Sequence, residues 1–403
     1  MIAALVFASG EYSYSVRIVG GFIGQLVVLL LIPGSYYLHL DEDGNYNVIM
    51  ILTAAAAIFT ALIDSCAISL VAQYPEQVQE SLQLGIGVST LIGSVFRIGT
   101  KLYFPSNQVI EASLAYFYIG AATIFFCIIA FYHMMTLPVS IRCLQRNDQR
   151  TEDKFLPLSP LIASPTLGSY RRLRLQDDEQ ETSDVELTTT TTTTTTTTMT
   201  MTTTTPTSKR KEEHTPQHVL GETTMLLKAP SSKWDILRKV LFQELLVFLV
   251  FFQTLSLWPP LVTEIKSFNF DYLNESKWWS LILLFIFSLA DVAGRYMVSY
   301  FRGPFTKSNI WILVLLRFVF FPLLICSVKG IIFQHDLFSI IFIFLFGWSN
   351  GYIGTLTIIY VNDCVATEEK GEAGNFTGFA LNFGLVIGST FALFVSSLVN
   401  TSS

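Results

Sequence analysis

Residues Trp279 to Phe301 read WSLILLFIFSLADVAGRYMVSYF, a run whose only charges are Asp291 and Arg295. As α-helix it extends about 35 Å, enough to cross a hydrocarbon layer about 30 Å thick. Eight further stretches of the same kind occur along the 403 residues: Ile18 to Leu38, Asn47 to Ala72, Leu84 to Phe104, Ala112 to Thr136, Val240 to Thr263, Ile310 to Val328, Leu337 to Val361 and Gly374 to Val399. Barrel strands are about 10 residues long and alternate with period two, so runs of this length imply helices. The reading is an all-α integral membrane protein, a polytopic bundle of about nine transmembrane helices.

Composition supports it. Hydrophobic residues make up 51% of the chain and charged ones 14%, with 33 phenylalanines and a mean hydropathy of +0.50. A soluble domain is about a quarter charged, so soluble enzymes, disulfide scaffolds and disordered proteins are excluded. The cysteines, Cys66, Cys127, Cys143, Cys326 and Cys364, form no CxxC pair, and His214 and His218 share a polar tract. Neither pattern indicates a metal. No Ser/His or HExxH arrangement occurs, so no enzyme, no cofactor and no nucleic-acid partner are expected.

Four parts follow in order: an apolar stub within residues 1–16, too short to span and similar to the end of a helix; four spans in 17–141; a polar segment, 142–237; and five spans in 238–403. The polar segment holds Asp177, Asp178, Glu179, Glu181 and an unbroken threonine run, Thr188 to Thr198. It has too few apolar residues to offset the entropy of ordering, and reads as a disordered loop. Fourteen of the 25 Lys and Arg lie between Arg142 and Lys239. The positive-inside rule therefore makes that loop cytoplasmic. Counting outward puts the C-terminus outside, together with the Asn274–Glu275–Ser276 sequon, a glycosylation candidate. The membrane expected is the plasma membrane.

Four ionisable residues lie well inside spans: Asp64, Asp291, Arg295 and Arg317. Each costs about 2.5–3.5 kcal/mol at a helix centre, on the order of 10 kcal/mol together. Asp291 and Arg295 are spaced i, i+4 and share a helix face. They read as a polar clamp facing a cavity, or as a salt bridge that merely neutralises both. Asp64 reads as a carboxyl able to carry a proton, or as a partner of Arg97. Arg317 reads as a brace between helices, whereas Arg97 and Lys101, near the end of their span, can snorkel. Gly20/Gly24, Gly347/Gly351, Gly374/Gly378 and Gly384/Gly388 are small-residue pairs suited to close helix packing. Pro259–Pro260, after Trp258, should break a helix near its outer end.

The second half carries FSLADVAGR (Phe287 to Arg295), RFVFFPLL (Arg317 to Leu324), HDLF (His335 to Phe338) and WSNGYIGTL (Trp348 to Leu356), in that order. Together they resemble the equilibrative nucleoside transporter family, whose eighth, ninth and tenth helices carry D-x-x-G-R, R-x-x-x-x-P-L-L and S-N-G-Y motifs. Glu372–Ala373–Gly374 is similar to the opening of that family's eleventh helix. ALIDSCAISLVAQYP and LGIGVSTLIG are similar to its fourth and fifth. The resemblance covers about residues 17 to 399 without the polar loop. It implies a major-facilitator-like bundle, 6+5 in the family against 4+5 here, with the first two family helices lacking.

The resemblance also implies roles. Asp291 and Arg295 match the pair that engages ribose hydroxyls, and Trp258 matches an aromatic position implicated in ligand contact. Asp64 stands where a glutamine commonly contacts the nucleoside, a departure that bears on base preference and proton coupling. Asn350 and Gly351, in the S-N-G-Y motif, join Arg317 as structural or gating candidates. The expected function is transport of nucleosides or nucleobases by alternating access, facilitative or proton-coupled, with protons and the lipid bilayer as further partners. The alternative is a transport-inactive membrane protein acting through a full-length carrier.

Overall fold

Long apolar runs in lipid must satisfy their backbone groups internally, and helices result. The computed structural model describes residues 13–38, 41–104, 108–144 and 232–401. Helix α1 spans Tyr14–Ser35, α2 Glu42–Val71, α3 Glu76–Tyr103 and α4 Val109–Thr136. After the polar segment come α5 (Lys233–Leu257), the short α6 (Pro260–Glu264) and α7 (Asp271–Glu275), and α8 (Trp278–Val298). The chain ends with α9 (Ile310–Leu316), α10 (Phe320–Lys329), α11 (Asp336–Asn362) and α12 (Lys370–Thr401). Among the described residues no strand occurs, and nine helical stretches are long and apolar enough to cross a bilayer. The fold is an all-α polytopic membrane bundle. Residues 1–12 and the Thr-rich stretch of the polar segment lie outside the described residues.

Three local readings differ from the structure. First, α1 begins at Tyr14, four residues before the uncharged run, because the Ser13 hydroxyl accepts from the Val16 N–H at 3.5 Å and caps it. Likewise α5 begins at Lys233, inside the stretch read as loop. There Lys239 pairs with Glu369 at 2.6 Å and Lys233 with Glu372 at 3.5 Å.

Second, the stretch from Ile310 to Val328 is not one helix. A 3-10 turn at Arg317–Val319 separates α9 from α10. Pro322 has no N–H to give the Phe318 carbonyl one turn back, so the α-helical ladder is interrupted there. Third, Gly20 meets nothing, while Gly21 and Gly24 pack on Ile63 and Phe59 of α2. The packing pair on α1 is therefore spaced i, i+3.

The remaining glycine pairs bring backbones together. A Cβ on Gly347 would lie 2.5 Å from the Phe287 carbonyl, and one on Gly351 would strike the Asp291 carbonyl, so α8 and α11 touch main chain to main chain. Gly374 and Gly378 of α12 seat on Ser69 and Ser65 of α2, where an added Cβ would lie 2.6 and 2.5 Å from the serine Cα atoms. Gly384 and Gly388 seat on the Phe248 and Phe252 carbonyls of α5. In lipid, where burying apolar surface between helices gains little, such close packing holds a bundle together.

Candidate functional site

The site begins on α8, whose LADVAGR register puts Asp291 and Arg295 one turn apart on the face turned to α3 and α11. Arg295 Nε donates to Asp291 Oδ2 at 2.8 Å, and both residues are buried. The other carboxylate oxygen is also engaged: Asn350 Nδ2, from α11, donates to Asp291 Oδ1 at 2.7 Å. This contact is possible because Gly351, the next residue, lets α11 approach the α8 main chain. Gly294 provides the reciprocal fit, its missing side chain leaving room for the Trp348 carbonyl.

From Asn350 the polar chain runs on. Its Oδ1 accepts from Thr254 Oγ1 of α5 at 2.6 Å and from Arg317 Nη2 at 3.4 Å. Arg317 also donates to Thr254 Oγ1 at 3.0 Å, to the Val250 carbonyl at 3.0 Å and to Ser349 Oγ at 3.3 Å. Its guanidinium lies over the Phe346 ring, 5.1 Å from the centroid. Arg317 is thus a brace joining α5, α11 and the 3-10 turn, held by dipoles and a ring rather than by a contacting carboxylate.

On the opposite side, α3 completes the arrangement. Arg295 Nη1 donates to Gln83 Oε1 at 2.9 Å and to the Gln83 carbonyl at 3.2 Å. One turn on, Gly87 faces the guanidinium, and a Cβ there would lie 2.7 Å from Arg295 Cδ. Further along, the Ser94 and Ser288 hydroxyls share a bond at 2.9 Å. The result is a continuous polar seam from Gln83 through Arg295, Asp291, Asn350 and Thr254 to Arg317, across four helices of the bundle. Arg295 Nη2 makes no hydrogen bond among the described residues. It is a charged donor with capacity to spare for a polar solute.

The other candidates lie apart from this seam. Trp258 caps α5, stacks on Phe287 at 4.7 Å between centroids, and has a buried indole N–H without an acceptor among the described residues. Asp64 is half-buried on α2 and makes no hydrogen bond or ion pair among the described residues. The Asp64–Arg97 pairing therefore does not form; Arg97 is exposed, its guanidinium 5.9 Å from the Tyr116 ring centroid. Lys101 does not simply snorkel, since its Nζ donates to the Ser276 carbonyl at 2.5 Å and lies over Trp278. Asn274 clasps Ser267: its Oδ1 accepts from the Ser267 N–H at 2.7 Å and its Nδ2 donates to the Ser267 carbonyl at 2.8 Å.

Sequence reasoning missed Gln83 and Thr254. Both are uncharged polar residues in spans, and that weak signal becomes specific only when their partners are known. A third omission is the cluster where α3 begins. Arg302 binds Glu76 at 2.5 Å and also binds Glu80, while Asn362 Nδ2 donates to Gln79 Oε1 at 2.7 Å. Burial alone would lower the Arg302 pKa, but the hydrogen bonds it donates to Glu80 and Glu76 outweigh that and hold it above its ordinary value.

The described residues thus define a multi-pass helical membrane protein with a buried, internally bonded acid–base pair. The chain belongs to the nucleoside transporter family, whose model matches residues 48–397. It is similar to Nucleoside transporter 2 of Leishmania donovani, 24% identical over 389 residues, covering 92% of this chain and 75% of that one. Equilibrative nucleoside transporter 1 of Homo sapiens is 23% identical over 398 residues, 96% of this chain and 76% of that one. Equilibrative nucleoside transporter 2 of Rattus norvegicus is 33% identical over 176 residues, 42% and 39% of the respective chains. The chain therefore spans about three quarters of the length of the first two relatives.

Proposed function

We propose that this protein transports nucleosides, or nucleobases, across the membrane by alternating access, without covalent chemistry. The observation that carries the reading is the Arg295 guanidinium, buried on α8, anchored to Asp291 and Gln83 and left with an uncommitted Nη2. The Gln83 and Asn350 bonds satisfy the buried pair, but a pair that only neutralised itself would need no guanidinium donor left uncommitted. A clamp for hydroxyl-bearing solutes does, because a bound sugar exchanges hydrogen bonds with water for hydrogen bonds with fixed donors and acceptors. Trp258, with its unpartnered N–H, is a second candidate contact. Family membership supports the substrate class.

In the orientation set by the basic residues, the Arg302–Glu76/Glu80 and Gln79–Asn362 bonds lie at the cytoplasmic side and the Lys101–Ser276 bond at the outer side. Alternating access parts one group while the other holds. The plasma membrane is the proposed site of action. Asp64, a carboxyl with no partner among the described residues, is the residue proposed to take up a proton if transport is proton-coupled. Glycan attachment at Asn274 would require its Nδ2 to leave the Ser267 carbonyl.

The test is uptake of radiolabelled adenosine and uridine at two external pH values, in nucleoside-uptake-deficient cells with surface expression matched. The wild-type chain should take up both, and Arg295→Leu and Asp291→Asn should each reduce uptake at least about 100-fold, the loss of a buried charge-assisted bond of about 3 kcal/mol. Acceleration at low pH that disappears in Asp64→Asn would assign proton coupling. Unchanged uptake in both clamp variants would overturn the reading.

A further inference from the structure

Gln83 lies on α3, outside the helices that carry the acid–base pair, yet its side chain is only 1% exposed and is turned to Arg295. A guanidinium has donors only, so the atom facing it is necessarily Oε1, and Arg295 Nη1 donates to it at 2.9 Å. The Gln83 carbonyl, at 3.2 Å from the same Nη1, gives a second acceptor on the same side. Gly87 closes the arrangement from below: a Cβ there would meet Arg295 Cδ at 2.7 Å, Nε at 3.1 Å and Asp291 Oδ2 at 3.2 Å. The guanidinium is thus laid between an amide and a bare stretch of helix, its Nε tied to Asp291 and its Nη1 tied to α3. Rotation about the Cδ–Nε bond would re-aim it, and the Asp291 and Gln83 acceptors together oppose that rotation.

We propose that Gln83 is a positioning residue for solute binding: by accepting from Nη1 it fixes the guanidinium plane so that Nη2 is presented to the solute. This rests on the reading of Asp291–Arg295 as the clamp. Pre-orienting one donor removes an ordering cost that the bound solute would otherwise carry. The role therefore shows in apparent affinity rather than in the rate of the conformational cycle.

The experiment is initial-rate uridine uptake by the full chain, with KM and maximal rate per surface molecule determined for wild type, Gln83→Met, Gln83→Glu and Arg295→Leu. Gln83→Met keeps the volume and removes the acceptor; it should raise KM about fivefold or more, with the maximal rate within about twofold. Gln83→Glu keeps an acceptor facing Nη1 and should stay within about twofold of wild type in KM. If Gln83→Met does not reach the surface, Gln83→Asn, which withdraws the amide by one methylene, carries the same expectation. A wild-type KM in the Met or Asn variant while Arg295→Leu is inactive overturns this inference alone, as does a Glu variant impaired as much as Met. Wild-type rates in Arg295→Leu, or no uptake by the wild-type chain, overturn the clamp reading and this one with it.

Discussion

The helices before the polar segment and those after it are built differently. The most apolar windows of α1 to α4 are 6–17% buried, whereas those of the five later spans are 33–56% buried. The later helices build three clusters of buried side chains, around Leu283 and Phe346, Leu356 and Val314, and Val247 and Phe376, the last joined by Ile68 of α2. The earlier ones enclose one small cluster around Leu70. The intramembrane charges divide the same way: Asp291, Arg295 and Arg317 are buried and hydrogen-bonded, while Asp64 has no bond and Arg97 faces outward. Tight packing is what makes a buried charge tolerable, because fixed dipoles replace water only where the helices hold them in place. The later helices therefore serve as the rigid frame, along which α2 docks through Ser65 and Ser69 and α3 through Gln83 and Gly87.

This contrast can be broken most severely at the glycines. Gly351→Leu places a side chain against the Asp291 carbonyl and should prevent α8 and α11 from closing, abolishing uptake and folded yield together. Gly20→Leu, on α1, meets nothing within 4 Å and should leave both within about twofold. Surface biotinylation with uptake separates these outcomes, and equal damage from both would contradict the rigid-frame picture. A smaller difference is expected for the arginines. Arg317→Leu leaves the Val250 carbonyl and Asn350 Oδ1 short of a donor and should destabilise by about 2 kcal/mol. Arg97→Leu should change stability by less than about 0.5 kcal/mol. Thermal denaturation in detergent, followed by intrinsic fluorescence, ranks the two, and an inverted order refutes the argument.

The mildest test concerns the contact between the two groups. Arg302→Ala removes the ion pairs to Glu76 and Glu80, which are partly solvent-exposed and screened by salt. It should loosen the end of α3 without unfolding the bundle. A cysteine introduced at Gln79 should then react about two- to fivefold faster with a membrane-impermeant thiol reagent applied from the cytoplasmic side, scaling with a weakened surface ion pair of under about 1 kcal/mol. No change in labelling would mean that the Arg302 ion pairs do not hold that end closed.

Much of the frame was legible in the sequence. Nine runs of sufficient length announce nine spans, since hydropathy over about 20 residues is a strong signal. The i, i+4 spacing of Asp291 and Arg295 places them together before any coordinates exist. What could not be read was every interaction that depends on which helix lies opposite. Gln83 and Thr254 are ordinary polar residues until Arg295 and Arg317 are brought to them. Gly20 and Gly21 are indistinguishable on a spacing rule, and only the direction of α2 selects Gly21. The interruption at Arg317 was hidden because Pro322 acts on a carbonyl one turn earlier, inside a run whose hydropathy never falters. Asp64 remained ambiguous for the opposite reason, since its surroundings offer no partner to identify it.

The close seat of Gly87 against Arg295 has a mechanical consequence. Helix α3 is fastened to the frame at both ends, by Glu76 and Glu80 to Arg302 and by Lys101 to Ser276, and it bears on the guanidinium at Gly87 between them. It has the form of a lever whose arms from Gly87 measure about 16 Å to Glu76 and about 21 Å to Lys101, at 1.5 Å per residue. A tilt of about 10° about that fulcrum would carry the ends about 3–4 Å in opposite directions. That is enough to part a hydrogen bond at one mouth while pressing the other home, with the bearing point resting on the same side chain that is proposed to hold the cargo.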